Sequence, residues 1–530
     1  MSMASIQSQL DTVYAQQDAA QFGTGRYAFF FKPGQYSLDV QVGFYTEAVG
    51  LGQSPDDVVI TGAVRAKADW LGGGNATCNF WRGADNLAVI SSASIDGGHD
   101  VWAVSQGTHL RRMHFHNDVA LDDGGESSGG FIADSLVDGT INSGSQQQFL
   151  TRNVDLSWHG GNWNMVFVGD GNPPAASWPQ PANTVVTTTP LVREKPFFYL
   201  DANGHYLVMV PAWKQASMGH SWSASTAPGS PMSLDTFYVA KAGTDTAATI
   251  NMALAQGQNL LFTPGIYQLE ASLQVTHPGT LVIGLGLPTL IPTAGTPVLQ
   301  VADVDGVTLS DFIVEAGTTS SPTLMELGPA GSALGHSSSP SAVFDVHCRV
   351  GGADPGTATS CFTINSNNVL IDNTWNWRAD HGAGVGWTQN VAANGLIVNG
   401  NNVLIYGLFV EHFQQYQTLW SGNGGSVYFY QSEMPYDPPN QAAWMSSPTE
   451  NGYPSYKLTS AVTTHQGLGI GVYSVFDNPV TADNAIETPT APGISMHHLV
   501  TVGIRGTITN IINGTGGSAG KGNQFAFSSN

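Results

Sequence analysis

Basic residues are scarce in this chain. Of 530 residues, 17 are Lys or Arg and 39 are Asp or Glu, a formal net charge of −22. Such a field repels polyanions, so nucleic acid and anionic membrane are poor partners, and acidic glycans such as pectin or alginate are disfavoured as substrates. A neutral glycan meets no such penalty. Charged residues of both signs reach only 11%, well below what helical proteins carry. No run of 18 apolar residues occurs, so no membrane-spanning helix is expected. The opening MSMASIQSQL lacks the basic and apolar regions of a secretory signal. With so little Lys and an Asn/Ser/Thr-rich surface, the reading is a secreted protein that begins at its mature end. Cysteines number three. Cys348 and Cys361 flank a Gly/Pro-rich loop and could pair, which leaves Cys78, expected to be a buried small hydrophobe. No Gly-rich phosphate loop opens a helix, and no Ser-centred nucleophile elbow is present.

What is abundant is turn chemistry. Gly occurs 63 times, and with Asn it supplies the positive-φ positions of a β-rich chain. Hydrophobic residues at 42% and aromatics at 10% are enough for packed cores, and the length predicts two or more domains. Two distant segments read alike. Phe30–Tyr36 (FFKPGQY) is followed by Ala48–Gly52 (AVGLG), and Leu261–Tyr267 (LFTPGIY) by Val282–Gly286 (VIGLG). A short helix is predicted before each, over Ile6 to Gln21 and Thr246 to Gln256. A repeat at this distance means two copies of one architecture. The polar, Pro/Gly-rich SASTAPGSPMS from Ser223 to Ser233 reads as the joint, giving a first domain over 1–222, a linker over 223–234 and a second domain over 235–530. Within each half, short β-branched strands alternate with Asn, Asp and Gly; Asn367–Ile371 and Asn401–Ile405 are both Asn-Asn-Val-Leu-Ile. The fold class expected is all-β: two tandem right-handed parallel β-helices, each with a short N-terminal capping helix. A sandwich or propeller is the rival, but explains neither the helices nor the recurrent Asn, whose expected role is a structural ladder.

The segment from Asp372 to Met445 gathers acidic residues among aromatics, including Trp375, Trp377, Trp420, Tyr428, Tyr430, Tyr436 and Trp444. Sugars stack flat C–H faces on such rings, while carboxylates bind hydroxyls and move protons. Glu411 and Glu433 lie 22 residues apart, near the length of one β-helix coil, and each follows an apolar strand. Sharing a face, they would repel, and one would be held protonated near neutral pH, as a glycosidase acid requires. Two unrelated surface glutamates are the alternative. His109, His114 and His116 with Asp118, Asp122 and Asp123 resemble a metal cluster in crude count, and His114 and His116 share a side if extended. Solvated turn carboxylates and a histidine ladder are the preferred reading, so no metal is expected.

The run from Val410 to Gln417 (VEHFQQYQ), Gly424-Gly425, and Tyr428 to Asp437 (YFYQSEMPYD) resembles glycoside hydrolase family 55, the exo-acting β-1,3-glucanases or laminarinases. Arg26–Gly34 and Gln146–Asn153 (QQQFLTRN) are similar too. The resemblance implies two side-by-side right-handed β-helices, inversion at the anomeric carbon, Glu433 as general acid, Glu411 as its carboxylate neighbour, and Gln146 as the amide holding the attacking water. A hydroxyl partner for that water belongs in Trp163–Gly169, where Val168 stands in place of the expected Ser. Trp377 and Tyr436 would stack on or wall in the sugar, and Gln431 would bind it. No cofactor is implied; the partner is β-1,3-glucan, and the chain is expected to be a secreted monomer. Two other readings stay open: a lyase or hydrolase of another glycan on the same fold, and a non-catalytic glycan-binding β-helix that would not need Glu433.

Overall fold

The computed structural model describes residues 2–223 and 229–529. It divides into two compact units, one of Met1–Phe237 with Gly284–Leu287 and one of Tyr238–Ile283 with Pro288–Asn530. Residues 224–228 of the expected linker lie outside the described residues; its later part, Gly229–Ser233, is a strand paired antiparallel with Tyr206–Pro211. Strands dominate both units, and two α-helices are present among the described residues. Neither is long and apolar enough to cross a membrane.

The first unit stacks coils of parallel strand. One ladder runs through Tyr27–Phe31, Thr46–Gly50, Arg82–Asp85, Thr108–Arg111, Phe131–Ala133, Gln148–Arg152, Asn164–Val168 and Asn183–Val186. A second contains Gly34–Gln41, Val58–Arg65, Ala88–Ser91, His114–Phe115 and Leu136–Asn142. Between the ladders the chain turns a corner on one left-handed residue per coil: Asn86, Arg112, Asp134 and Asn153, at φ 58°, 52°, 49° and 55°. Asn and Asp tolerate this region best, which is why they recur between the strands. Each corner N–H donates to the next coil, Asn86 to the Arg111 carbonyl at 3.0 Å and Asn153 to that of Val168 at 2.9 Å.

In the second unit the strands are longer and the corner lies inside them. Thr308–Glu315, Ser341–Val350, Val369–Arg378, Leu404–Glu411, Gly425–Glu433 and Thr464–Val475 pair in parallel, in that order. One positive-φ residue per strand drops out of the pairing: Asp311, Asp345, Asn373, Gly407, Phe429 and Gly469. After this bend the columns run straight. Val314, Cys348, Val410 and Val472 pack into the core, and since side chains alternate across a strand, the next residues form the opposite column. That column reads Glu315, Arg349, Trp377, Glu411, Glu433, Tyr473, each the register partner of the next. The two Asn-Asn-Val-Leu-Ile copies stack with Leu370 on Leu404 and Ile371 on Ile405. Ahead of them Asn367 Oδ1 accepts from the Asn401 N–H at 2.7 Å, and Asn401 Oδ1 from that of Asn423 at 2.8 Å. The asparagine ladder is structural, as expected.

The repeat holds at the level of single bonds. Gly34 and Gly265 open corresponding strands at φ 152° and 153°. The hydroxyl of Tyr36 donates to the Lys32 carbonyl at 2.8 Å, and that of Tyr267 to Thr263 at 2.9 Å. Each unit also carries its helix, Met3–Gln17 and Ala247–Ala255. The first starts earlier than expected because the Ser2 side chain caps it by accepting from the Ser5 N–H. Each helix ties a strand backbone with one amide. Gln7 exchanges two bonds with Asp39, both at 2.9 Å, and Asn251 binds the Ser272 carbonyl and the Gln274 N–H at 2.9 and 2.8 Å. Strand edges left bare invite association; the helices cover them.

Cys348 and Cys361 form a disulfide. Cys78 is half-buried rather than buried, because it sits in an irregular connection between strands and not in a ladder.

Candidate active site

Glu411 and Glu433 end adjacent strands and are register partners, so the 22-residue spacing does put two carboxylates on one face. Their surroundings differ. Glu411 is 3% exposed, and its Oε2 accepts from the Trp375 indole N–H at 2.8 Å. Burial and then the charge of Glu433 push its carboxyl up to about 8, against weaker opposition from His412, Gln431 and Trp375. Glu433 keeps 15% of its side chain exposed. The Tyr436 hydroxyl donates to its Oε2, and Gln431 Nε2 donates to Oε1 at 3.4 Å. The paired arrangement was legible from spacing; which carboxyl is walled in was not.

His412 completes the cluster and was not singled out from sequence. It follows Glu411 at φ 66°, a conformation costly for a residue other than glycine or asparagine. That turn brings its ring back over the carboxylates. Nδ1 lies 3.2 Å from the Arg378 carbonyl, and as a carbonyl only accepts, Nδ1 carries a proton. Nε2 lies 3.6 Å from Glu433 Oε2, Asp380 is 3.8 Å from Nδ1, and the ring centre is 4.3 Å from that of Tyr436. Burial alone would push His412 down; contact with Glu433 and the charges of Asp380, Glu411 and Glu433 outweigh it and carry it to about 9. The site therefore holds an imidazolium beside its two carboxyls at neutral pH. Arg378 fixes the floor: it forms two bonds with Asp437, at 2.9 and 2.8 Å, and donates to the carbonyls of Asn390 and His412.

Of the residues expected to bind sugar, Gln431 and Tyr436 touch Glu433 directly. Trp377 is the register partner of Glu411, but it is 1% exposed and stacked on Trp375 with ring centres 4.9 Å apart. It offers no open face, so of its two expected roles only the wall fits.

Gln146 does not fit the role expected of it. Its side chain is fully buried in the first unit, where Oε1 accepts from the Gly129 N–H at 2.6 Å and Nε2 reaches the carbonyls of Gly129, Val104 and Leu121 at 3.1 to 3.4 Å. The amide is thus tied to the backbone of its own coil through both its oxygen and its nitrogen. Two residues on, Gln148 is equally buried, yet neither its Oε1 nor its Nε2 has a hydrogen-bonding partner among the described residues. It begins the strand Gln148–Arg152, in register with Asn164. Val168 lies further along that pairing, opposite Arg152. Three consecutive glutamines give no sign in sequence of which one is open.

The six candidate metal residues do not assemble. His109 contacts Asp85 at 3.3 Å, Lys67 holds Asp123 at 2.8 Å, and Asp118 accepts from the Thr140 N–H at 2.7 Å. His114 and His116 do share a side, with ring centres 3.9 Å apart.

Comparison with known proteins gives the family. Residues 237–433 match the model of the LAM55 pectate lyase-like domain. A Streptomyces protein (strain SirexAA-E / ActE) named exo-beta-1,3-glucanase is 46% identical over 523 residues, covering 97% of this chain and 85% of its own. The solved structure of sacteLam55A from Streptomyces sp. SirexAA-E has a TM-score of 0.96 at 44% identity, covering 99% of this chain and 96% of its own. A variant of that protein in complex with glucose has a TM-score of 0.96 at 45% identity over 99% and 95%. With the paired carboxylates and a relative this similar along nearly its whole length, the chain belongs to glycoside hydrolase family 55.

Proposed function

We propose that this chain releases glucose from the end of β-1,3-glucan with inversion, using Glu433 as general acid. The relative named as an exo-beta-1,3-glucanase and the neighbour bound to glucose support the substrate. The observation that carries the acid is the register pair, in which one carboxyl is sealed against Trp375 and the other stays reachable beside it. Glu433 protonates the glycosidic oxygen as the bond breaks, with Tyr436 and Gln431 holding its two oxygens in orientation. His412 then offsets the charge left on Glu433, and Glu411 serves as the neighbouring proton reserve. Glu411 cannot act as nucleophile or base on the opposite face of the sugar, because it sits one rung away on the same ladder and is committed to Trp375. That favours water as the attacking group; it gives one proton to solvent as it adds, which balances the proton that Glu433 delivers to the leaving oxygen and later takes back. Trp377 walls the sugar site.

The stacked coils of each unit fit two tandem right-handed β-helices. The Cys348–Cys361 bridge fits secretion into an oxidising compartment, where the chain would work as a monomer without a cofactor.

The test is product analysis on laminarin by NMR, wild type beside Glu433→Gln. Wild type is expected to release α-glucose, with a loss of more than about a hundredfold in Glu433→Gln, in line with removal of an acid catalyst. Release of β-glucose would overturn inversion. Failure on laminarin with activity on another polysaccharide would shift the substrate, and failure on all would favour a binding protein.

A further inference from the structure

A second cluster of ligating side chains lies in the first unit, apart from the residues of the proposed reaction. His114 and His116 stand two residues apart on one side of their strand, with ring centres 3.9 Å apart. Asp138 lies on the neighbouring strand, two residues beyond Leu136, the register partner of His114. Its Oδ2 is 2.8 Å from His116 Nδ1 and 3.2 Å from His114 Nε2. Asp56 approaches from the other side, with Oδ1 2.6 Å from His114 Nδ1. Asp56, His114 and His116 each present one ligand atom such that all three lie within 4.8 Å of one another.

From this convergence we infer that the first unit binds one divalent transition-metal ion of the Zn2+ class, taking imidazole nitrogens from His114 and His116 and a carboxylate oxygen from Asp56, with Asp138 orienting the two imidazoles. Two imidazoles and one carboxylate are the donor set of Zn2+, Cu2+ or Ni2+ rather than of Ca2+ or Mg2+, which take oxygen almost exclusively. Three protein ligands at about 2.0–2.2 Å leave the fourth position of a tetrahedral ion to water. The supports are rigid. Asp56 sits in the short turn Pro55–Asp57, locked by a reciprocal Ser54–Asp57 cap, and His114, His116 and Asp138 are on or just beyond paired strands. His114 is 10% exposed and backed by the Trp222 ring at 5.5 Å, whereas Asp56, Asp138 and His116 are open to solvent at 52%, 47% and 35%. One wall is thus fixed and the entrance is open. With the ion and Asp56 at Nδ1 of His114, the opposite Nε2–H is left donating to Asp138. That contact fixes the tautomer and raises ligand basicity. The ion is placed away from Glu433 in sequence and fold unit, and the proposal does not depend on the hydrolase reading.

The test is calorimetric titration of chelator-treated protein with Zn2+, beside His116→Ala and Asp138→Asn, with electron paramagnetic resonance of the Cu2+ form. One equivalent of Zn2+ is expected, weakened at least about tenfold in each variant. The Cu2+ spectrum should show coupling to two imidazole nitrogens, reduced to one in His116→Ala. Laminarin hydrolysis by these variants, unchanged from wild type, reports that they are folded. No Zn2+ uptake by wild type would overturn the site. So would several weak equivalents untouched by both variants, since the acidic surface alone would then account for binding.

Discussion

Glu411 and Glu433 carry the same functional group one rung apart, and the protein separates them by what it lays against each. The sealed carboxyl of Glu411 stays neutral until the pH rises through about 8. Above that point Glu411 carries a negative charge beside Glu433, and the neutral neighbour is lost. The expected outcome is a fall in kcat/KM as pH rises through that region, with the descending limb displaced in Glu411→Gln, whose amide imitates the neutral acid at every pH. A limb that stays in place in the variant would assign it to another group, His412 being the nearest. How much of this was legible follows from what kind of contact is involved. The carboxylate pair was readable because a coil-length spacing maps onto register. The Trp375–Glu411 bond was not, because it crosses 36 residues and depends on rotamers. The different surroundings of Gln146 and Gln148 were not either, since residues two apart share a face in a strand and only the strand boundary, at Gln148, separates them.

At the level of elements, one left-handed residue per coil sets the bend, and the asparagines beside it hold coil to coil. Asn423 shows the economy of the device: its Oδ1 accepts from the N–H of Thr463 at 2.8 Å and of Thr464 at 3.2 Å, while its own N–H donates to Asn401. Asn423→Ala is expected to lower stability by about 1–2 kcal/mol, the usual worth of one or two such bonds, read as a lower Tm with kcat/KM unchanged. The repeated Asn-Asn-Val-Leu-Ile announced this stacking in sequence because the same residue is required at the same corner of successive coils. The bend inside the long strands was not visible, since its positions are filled by Asp, Asn, Gly and Phe in turn. Only their shared register identifies them.

For the whole molecule, buried carboxyls decide how stability varies with pH. Burial raises Asp100 to about 6 and Asp170 to about 7, despite bonds from Ser91 and Val64 to the first and from Thr151 and Val154 to the second. A carboxyl raised on folding stabilises fully below its unfolded value and loses that contribution as pH climbs through the folded one. Each contributes on the order of 3–4 kcal/mol by this route. His336, carried upward by Asp303 and Asp305 at 2.9 and 2.7 Å against the effect of burial, loses its contribution in the same direction. Asp85 works oppositely. Lys195 and His109 overcome its burial and hold it at about 2, so its contribution is lost only as pH falls below the ordinary carboxylate range. Tm is therefore expected to be higher near pH 5 than near pH 8, measured by calorimetry, and Asp170→Asn should flatten that slope. The column that carries the glutamate pair has a last consequence. Arg349, Trp377, Glu411, Glu433 and Tyr473 are register partners although 28, 34, 22 and 40 residues separate them in turn. Excess chain is expelled sideways into loops, and the spine ignores it. A lineage built this way can lengthen or shorten the loops around the glutamate pair by splicing residues into them, without moving either carboxyl off its rung.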